Sequence, residues 1–315
     1  MKLIEIFKKQ GGFKQLKQYW KGGAFFTAVI QLLTLGKSRT ALEILRLSTQ
    51  LKTKQKLQKK YKKCLVQFDK NFNNDLEHNK SNKVWVCWFQ GMENAPAIVK
   101  KCYNSLKENL VDKEIIVITS ENMHEYVDMP EYIIEKWKKG YITNTHMTDL
   151  LRLELLIKHG GMWIDATVLC TGKEIPEYFF DSDLFMYQSL KPGRDGQCMY
   201  ISSWLICAKT NNKILMAARE LCYEYWKKNK DLIDYFLVHH FISITLDYYD
   251  EDWHDIVPSD NSIPHILLLR LFDKFDEKKW NYVTSMTSFH KLTYKFDESK
   301  TQIEDTFYKY IMNNI

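Results

Sequence analysis

The stretch that decides the fold is residues 144–171, which read NTHMTDLLRLELLIKHGGMWIDATVLCT. Its first half predicts a helix, because leucine and isoleucine recur three and four residues apart. Gly160 and Gly161 follow directly and allow the helix to end on a residue with positive φ. Residues 162–168 then predict a buried strand that contains a single carboxylate, Asp165.

The polar residues of this stretch are open to two interpretations. A carboxylate in an apolar run is costly unless it has a partner, and a metal or a ligand hydroxyl would be one. Asp149 and Arg152 are three residues apart near the helix start, so they share one face of the helix. On spacing alone, these residues form either a functional site or a surface ion pair beside a loop that Asp165 caps.

A strand–helix–strand unit precedes this stretch. Residues 84–89 and 114–119 are apolar and predict strands, and residues 96–110 between them predict a helix. Such a unit pairs its strands in parallel, and ligands bind beyond their carboxyl ends. Trp88 is open to a second interpretation as a core aromatic. The residues placed at the mouth of a site are Trp88, Phe89, Gln90 and Gly91.

The second half of the chain predicts further α/β elements. Strands are expected at 183–188 and 201–208, and helices at 212–228 and 231–248. Residues 191–196 predict an exposed loop, either a plain connection or a mobile lid. His239 and His240 fall within a predicted helix, where a histidine is more often structural than catalytic.

The central stretch resembles a known signature. Asp149-Leu-Leu-Arg152, then Gly160-Gly161 and Trp163-Ile-Asp165-Ala-Thr167, resemble the bacterial capsular polysaccharide synthesis proteins. These are GT-A glycosyltransferases similar to family 32, with a DXD-containing sugar-binding region. The resemblance runs from residue 85 to about residue 294 and extends weakly into the N-terminal part. It implies an α/β, GT-A-like nucleotide-sugar-binding fold with a mixed, mainly parallel central sheet and an N-terminal helical module.

One departure from the family pattern concerns metal binding. The DXD position reads Asp165-Ala166-Thr167, so the second acid, normally a direct metal ligand, is absent. The resemblance implies that Asp165 binds Mn²⁺ or Mg²⁺ and that a late histidine, matched best by His290, completes the site. Thr167 would contribute a hydroxyl or act through a water. Lys291 is one of two lysines that could instead neutralise a diphosphate as point charges; the other is Lys295.

The resemblance also implies the reaction. Asp149, Arg152 and Asp165 would act near the donor sugar, while Gln90 and Gly91 would contact the nucleotide beside Trp88. The expected function is transfer of a hexose from a nucleotide sugar, UDP-hexose being preferred, to a lipid-linked oligosaccharide, with retention of configuration. The alternative is a non-catalytic membrane or glycan-binding protein on a degenerate glycosyltransferase fold. Two further candidate acids near the site are Asp181 and Asp183.

The charge is divided unevenly along the chain. Residues 1–80 contain 18 Lys and Arg against 5 Asp and Glu, a formal +13, and the remainder carries −7. We therefore predict a basic helical module at 1–80 and a GT-A-like glycosyltransferase domain at 81–315. Residues 24–35 are apolar but shorter than the roughly 20 residues that span a bilayer.

The basic module has three interpretations: a solvated helical hairpin, an anionic membrane surface as partner, or nucleic acid as partner. We favour the membrane, because apolar residues adjoin the lysine runs, and we expect no nucleic-acid partner. The lysines expected to face lipid are Lys52, Lys54, Lys56, Lys59, Lys60, Lys62 and Lys63. Seven scattered cysteines favour a reduced, cytoplasmic protein, attached peripherally to the inner face of the plasma membrane.

Overall fold

A computed structural model describes residues 12–172, 174–190 and 198–315. The loop expected at 191–196 lies outside these ranges, as does the beginning of the basic module. The strands are β1 (Lys83–Cys87), β2 (Glu114–Ile118), β3 (Gly161–Ile164), β4 (Val168–Cys170), β5 (Leu184–Gln188), β6 (Ile201–Ala208) and β7 (Phe289–Lys291).

Five of these strands form the central sheet, in the order β2-β1-β3-β6-β5. β1 pairs in parallel with both β2 and β3, and β6 is antiparallel to both of its neighbours, β3 and β5. Four strands therefore point the same way and one is reversed. This confirms the α/β class and the mixed, mainly parallel sheet.

A second, two-stranded sheet pairs β4 with β7 in antiparallel orientation. The prediction of one continuous strand over residues 162–168 is wrong, because the chain turns at Asp165. The backbone N–H of Val168 donates to the carbonyl of Asp165 at 3.0 Å, and this turn moves the chain from the large sheet to the small one. Asp165 is thus presented at the junction of two sheets.

Fourteen α-helices and three short 3₁₀ helices surround the sheets in the described ranges. The predicted helix at 231–248 begins only at Leu237. The 3₁₀ helices are Met92–Asn94, Ile263–His265 and Glu298–Gln302. The α-helices are α1 (Gly12–Gly22), α2 (Phe25–Leu35), α3 (Arg39–Asn71), α4 (Ala97–Asn109), α5 (Met123–Tyr126), α6 (Glu131–Lys138), α7 (Asn144–His159), α8 (Tyr178–Asp181), α9 (Lys213–Lys228), α10 (Leu237–Tyr248), α11 (Asp250–Asp255), α12 (Ile266–Arg270), α13 (Glu277–Met286) and α14 (Phe307–Asn314).

The central helix α7 forms as the sequence predicts. The Thr143 side chain accepts a hydrogen bond from the His146 N–H at its start, and Gly160 ends it with φ +64°. Hydrophobic side chains on nearly every face are buried, because the helix lies between the central sheet and α9. The helix start is thereby held at the carboxyl end of the sheet.

The N-terminal helices confirm a helical region, and α3 is part of the main core. Leu57, Tyr61 and Leu65 of α3 are buried in the same hydrophobic cluster as α9 and α10. The expectation that Lys54 faces lipid is wrong: its side chain is buried and its Nζ lies 2.8 Å from a carboxylate oxygen of Asp247. A lysine whose own side chain is buried and held in an ion pair cannot reach a membrane surface.

Gly161 is the tightest backbone constraint at the start of β3. Its φ is +93°, and a Cβ there would lie 2.3 Å from the carbonyl oxygen of Lys83 in β1. We predict that Gly161→Ala destabilises the protein by roughly 3 kcal/mol or more, since backbone strain adds to the overlap. Urea unfolding measures this. Gly140→Ala is the matched control, because Gly140 has φ +74° with open space around it and should cost only about 1–2 kcal/mol. Equal losses would contradict the steric argument.

Candidate active site

A cleft of about 590 Å³ opens beyond the carboxyl ends of β1 and β3. Its walls are the segment after β1, the first turn of α7, the turn at residues 165–167 and the segment after β7. A larger groove, of about 780 Å³, lies between α3 and α9. Its Glu224 is already paired with Lys228 and Lys227, so the smaller cleft is the better candidate for an active site. Charged side chains of both signs converge on the cleft, and they are Arg152, Asp165, Lys291 and Lys295.

Asp165 is held by three donors. One carboxylate oxygen, Oδ1, lies 3.3 Å from Nη2 of Arg152 and accepts a hydrogen bond of 3.1 Å from the indole N–H of Trp163. The other, Oδ2, lies 3.0 Å from Nζ of Lys291. Burial would raise the pKa of Asp165, but Lys291 and then Arg152 outweigh it and hold the pKa below its ordinary value. The carboxylate is therefore ionised and fixed in direction.

Asp149 stands behind Arg152 and supports it. Its Oδ1 lies 3.0 Å from Nη1 of Arg152, and its Oδ2 lies 3.5 Å from Nδ1 of His146. Burial would raise the pKa of Asp149, and Arg152 lowers it below the ordinary value. Asp149 does not line the cleft, so the structure does not bring it to a donor sugar. Its contacts position the guanidinium instead.

Lys291 joins the two halves of the turn after β3. Its Nζ donates to Thr167 Oγ1 at 2.5 Å while it pairs with Asp165. The backbone is fixed as well, because Lys291 pairs with Val168 in the small sheet and the N–H of Leu292 donates to the Thr167 carbonyl at 2.9 Å. Asp165, Thr167 and Lys291 therefore form one connected unit.

Two aromatic rings and a fourth charge lie toward the mouth of the cleft. Trp88 meets Tyr294 edge to face with centroids 5.3 Å apart, and Nζ of Lys295 lies 5.6 Å from the centre of the Tyr294 ring. Gln90 lines the cleft beside them. Gly91 does not: its φ of +81° serves a turn closed by its N–H on the Trp88 carbonyl.

His290 is not brought to the cleft. It follows Phe289 in β7, where side chains alternate between faces, so it points away from the side that carries Lys291. It is buried, and its Nε2 lies 2.9 Å from Thr171 Oγ1. The expected metal set of Asp165, Thr167 and His290 is therefore not assembled. No group of three His, Cys, Asp or Glu suited to a metal occurs in the described ranges.

Several residues of the site are not among those predicted from the sequence. Trp163 is two residues from Asp165, and the period of a strand would have placed both on one face. The Ser203 hydroxyl accepts a hydrogen bond from Arg152, and it comes from β6, some fifty residues later. Asn144, Thr145 and Thr148 of α7 also line the cleft, where a helix start is favourable to anions.

The family of the chain follows from comparison with known proteins. Residues 38–311 match the family model described as capsular polysaccharide synthesis protein. The chain belongs to this family. Over 161 residues it is 27% identical to the O-glycosyltransferase braB of Annulohypoxylon truncatum. This match covers 45% of the chain and 37% of that protein. The chain thus spans little more than a third of the length of that relative. Among solved structures it is similar to the PaToxG glycosyltransferase, at 13% identity, TM-score 0.34 and coverage of 64% of this chain and 81% of that one.

The burial of His290 yields a prediction about stability. Burial lowers its pKa from 6.5 to about 4. As pH falls, the unfolded chain therefore binds a proton at a higher pH than the folded chain does. The stability that depends on a neutral His290 is complete above pH 6.5 and is lost progressively toward pH 4. Between pH 7 and pH 5, His290 should cost the parent protein on the order of 1–3 kcal/mol of unfolding free energy. We predict that His290→Gln does not show this loss when urea unfolding is measured at the two pH values.

The control for this prediction is His254→Gln, because the side chain of His254 is exposed. It should keep the pH dependence of the parent protein. If His290→Gln also keeps it unchanged, the neutral buried imidazole is not the source of the effect.

Proposed function

We propose that this protein is a GT-A-like glycosyltransferase that moves a hexose from a nucleotide diphosphate sugar, UDP-hexose in the first instance. The observation that carries the proposal is the fixed carboxylate of Asp165 between Arg152 and Lys291, at the carboxyl ends of the parallel strands. Membership of a capsular polysaccharide synthesis family supports glycosyl transfer as the chemistry.

The charge of the cleft suits a diphosphate. Its described lining residues carry three cations, Arg152, Lys291 and Lys295, against the single carboxylate of Asp165. The start of α7 adds the partial positive charge of a helix N-terminus. The nucleotide would then stack near Trp88 and Tyr294, with the amide of Gln90 in reach of the base. A diphosphate leaving group gains charge as it departs, and fixed cations stabilise it without reorganisation.

Asp165 would accept hydrogen bonds from donor hydroxyls. Its pKa lies below the ordinary value, so it is a poor proton carrier near neutral pH. It is also the one carboxylate among the described residues that line the cleft. An inverting transferase needs a general base beside the acceptor hydroxyl, so the cleft favours a retaining reaction.

We propose a lipid-linked oligosaccharide of a capsule or another surface glycan as acceptor. The name of the relative braB, an O-glycosyltransferase, supports a hydroxyl oxygen as the atom that receives the sugar. The rival function is non-catalytic binding of a membrane or glycan. Slow hydrolysis of a nucleotide sugar by the purified protein separates the two, because a pure binding protein releases no nucleoside diphosphate.

Asp165→Asn tests the proposal. The change keeps the shape but removes the charge that Arg152 and Lys291 face, and we predict a loss of at least 100-fold in nucleoside diphosphate release, about 3 kcal/mol of transition-state stabilisation. Release is measured across a panel of nucleotide sugars. Asp183→Asn is the matched control, because Asp183 is an exposed carboxylate paired with Lys209. Turnover by Asp165→Asn equal to that of the control would refute the assignment.

We also propose that α2 attaches the protein to an anionic membrane surface. The helix has no charged residue, and Phe26, Ile30 and Leu33 recur at helical spacing on its outer face. Phe26 is 71% exposed and Leu33 is 81% exposed. No helix in the described ranges is both long and apolar enough to cross a bilayer. Peripheral insertion of this stripe, at the inner face of the plasma membrane, is the attachment that fits.

Replacement of the stripe tests this attachment. We predict that the triple variant Phe26→Ser, Ile30→Ser, Leu33→Ser binds anionic vesicles at least 10-fold more weakly, since each buried side chain contributes about 1.5–3 kcal/mol. Co-sedimentation measures it, and added salt should weaken the remaining binding by the exposed lysines. The fold should persist because these side chains are already exposed.

A second triple variant controls for hydrophobicity alone. Val111, Leu269 and Ile303 are exposed apolar residues elsewhere in the fold, and their replacement by serine should leave vesicle binding unchanged. Deletion of all 80 N-terminal residues is a poorer test, because it removes α3 and uncovers the core. Equal binding by both triple variants would exclude α2 as the contact.

A further inference from the structure

The turn after β3 shows a mismatch between the family pattern and the residues present. A DXD transferase places its second acid where this chain has Thr167, and the remaining carboxylate is engaged by Arg152, Trp163 and Lys291. His290, the other expected ligand, is buried on the opposite face of β7. A neutral hydroxyl and one paired carboxylate are a poor ligand set for Mn²⁺ or Mg²⁺, which prefer several free oxygens.

The ammonium of Lys291 adds a second obstacle to metal binding. It lies 3.0 Å from Asp165 Oδ2 and 2.5 Å from Thr167 Oγ1, the two groups of the motif that would have to bind the ion. Like charges repel strongly at such separations in a partly buried site. The Lys291 side chain is 19% exposed, and its contacts to Asp165 and Thr167 hold it in this position.

We propose that Lys291 supplies the positive charge that a divalent cation supplies in metal-dependent transferases, so that the cleft binds a nucleoside diphosphate without a metal. This inference rests on the proposed function. Of the three N–H donors of the ammonium, two are directed to Asp165 and Thr167. Among the described residues the third has no partner, and it would be available to a phosphate oxygen. The pairing of Lys291 with Val168 in the small sheet holds the charge in register with Asp165.

Direct binding of nucleotide to the full-length protein tests the inference. UDP, GDP, ADP and TDP are titrated calorimetrically in EDTA and again in Mn²⁺, and the tightest ligand is then used throughout. We expect dissociation constants within twofold in the two conditions. Binding at least 10-fold tighter in Mn²⁺ would overturn the inference and leave the proposed function intact. Absence of binding by all four nucleotides in both conditions would overturn both.

Binding of Mn²⁺ alone gives a second readout, independent of nucleotide and of activity. Electron paramagnetic resonance measures free Mn²⁺ in the presence of the protein. We expect the parent protein and Asp165→Asn to bind the same amount of Mn²⁺, because no ion is expected at Asp165. A bound ion that is lost in Asp165→Asn would overturn the inference.

Variants of Lys291 identify the charge. We expect Lys291→Met to weaken nucleotide binding about 10- to 100-fold, the range for a lost charged hydrogen bond, and Lys291→Arg to retain most of it. Lys209→Met is the matched control, because Lys209 is 21% exposed and also pairs with a carboxylate, that of Asp183. Circular dichroism and thermal unfolding verify that each variant is folded. Equal affinity of Lys291→Met and Lys209→Met would overturn the role of Lys291.

Discussion

The site depends on one chain of charges that runs from Asp149 through Arg152 and Asp165 to Lys291. These four residues come from the helix α7, the turn after β3 and the strand β7, so the chain joins elements that are more than a hundred residues apart in sequence. Burying ionised groups is costly, and each group here is offset by an opposite charge within 3.0–3.3 Å. Because removal of any one member takes an ion-pair partner away from its neighbour, the arrangement favours one conformation of the cleft before a ligand arrives.

The backbone supports this chain from both sides. Gly160 and Gly161 allow α7 to turn directly into β3, and the close approach of Gly161 to Lys83 fixes where that strand lies in the sheet. The turn at Asp165 then passes the chain to the small sheet, whose pairing with β7 sets the position of Lys291. Helix, turn and distant strand thus share the work of directing a single carboxylate into the cleft.

The local parts of this arrangement could be predicted from sequence, and the non-local parts could not. Helical periodicity and the glycine pair located α7 and the start of β3, and the strand–helix–strand unit located Trp88 and Gln90 at the cleft. The choice between His290 and Lys291 depends on the register of β7 against β4, since a shift of one residue exchanges the faces of a strand. Local sequence does not record that register. Lys54 illustrates the same limit, because its burial depends on Asp247, almost two hundred residues away.

Charge balance links Thr167 to Lys291. Two carboxylates and one divalent cation sum to zero, and one carboxylate, one threonine and one lysine also sum to zero. Because Asp149 offsets Arg152, both arrangements leave Lys295 and the start of α7 as the surplus positive charge that would face a diphosphate. The lysine differs in being covalently attached, so it needs no ion from solution and cannot be removed by a chelator. On our proposal, a cleft of this composition would present a metal-like field to its ligand through side chains alone. The absence of a second acid at residue 167 would then be compatible with catalysis rather than a sign of its loss.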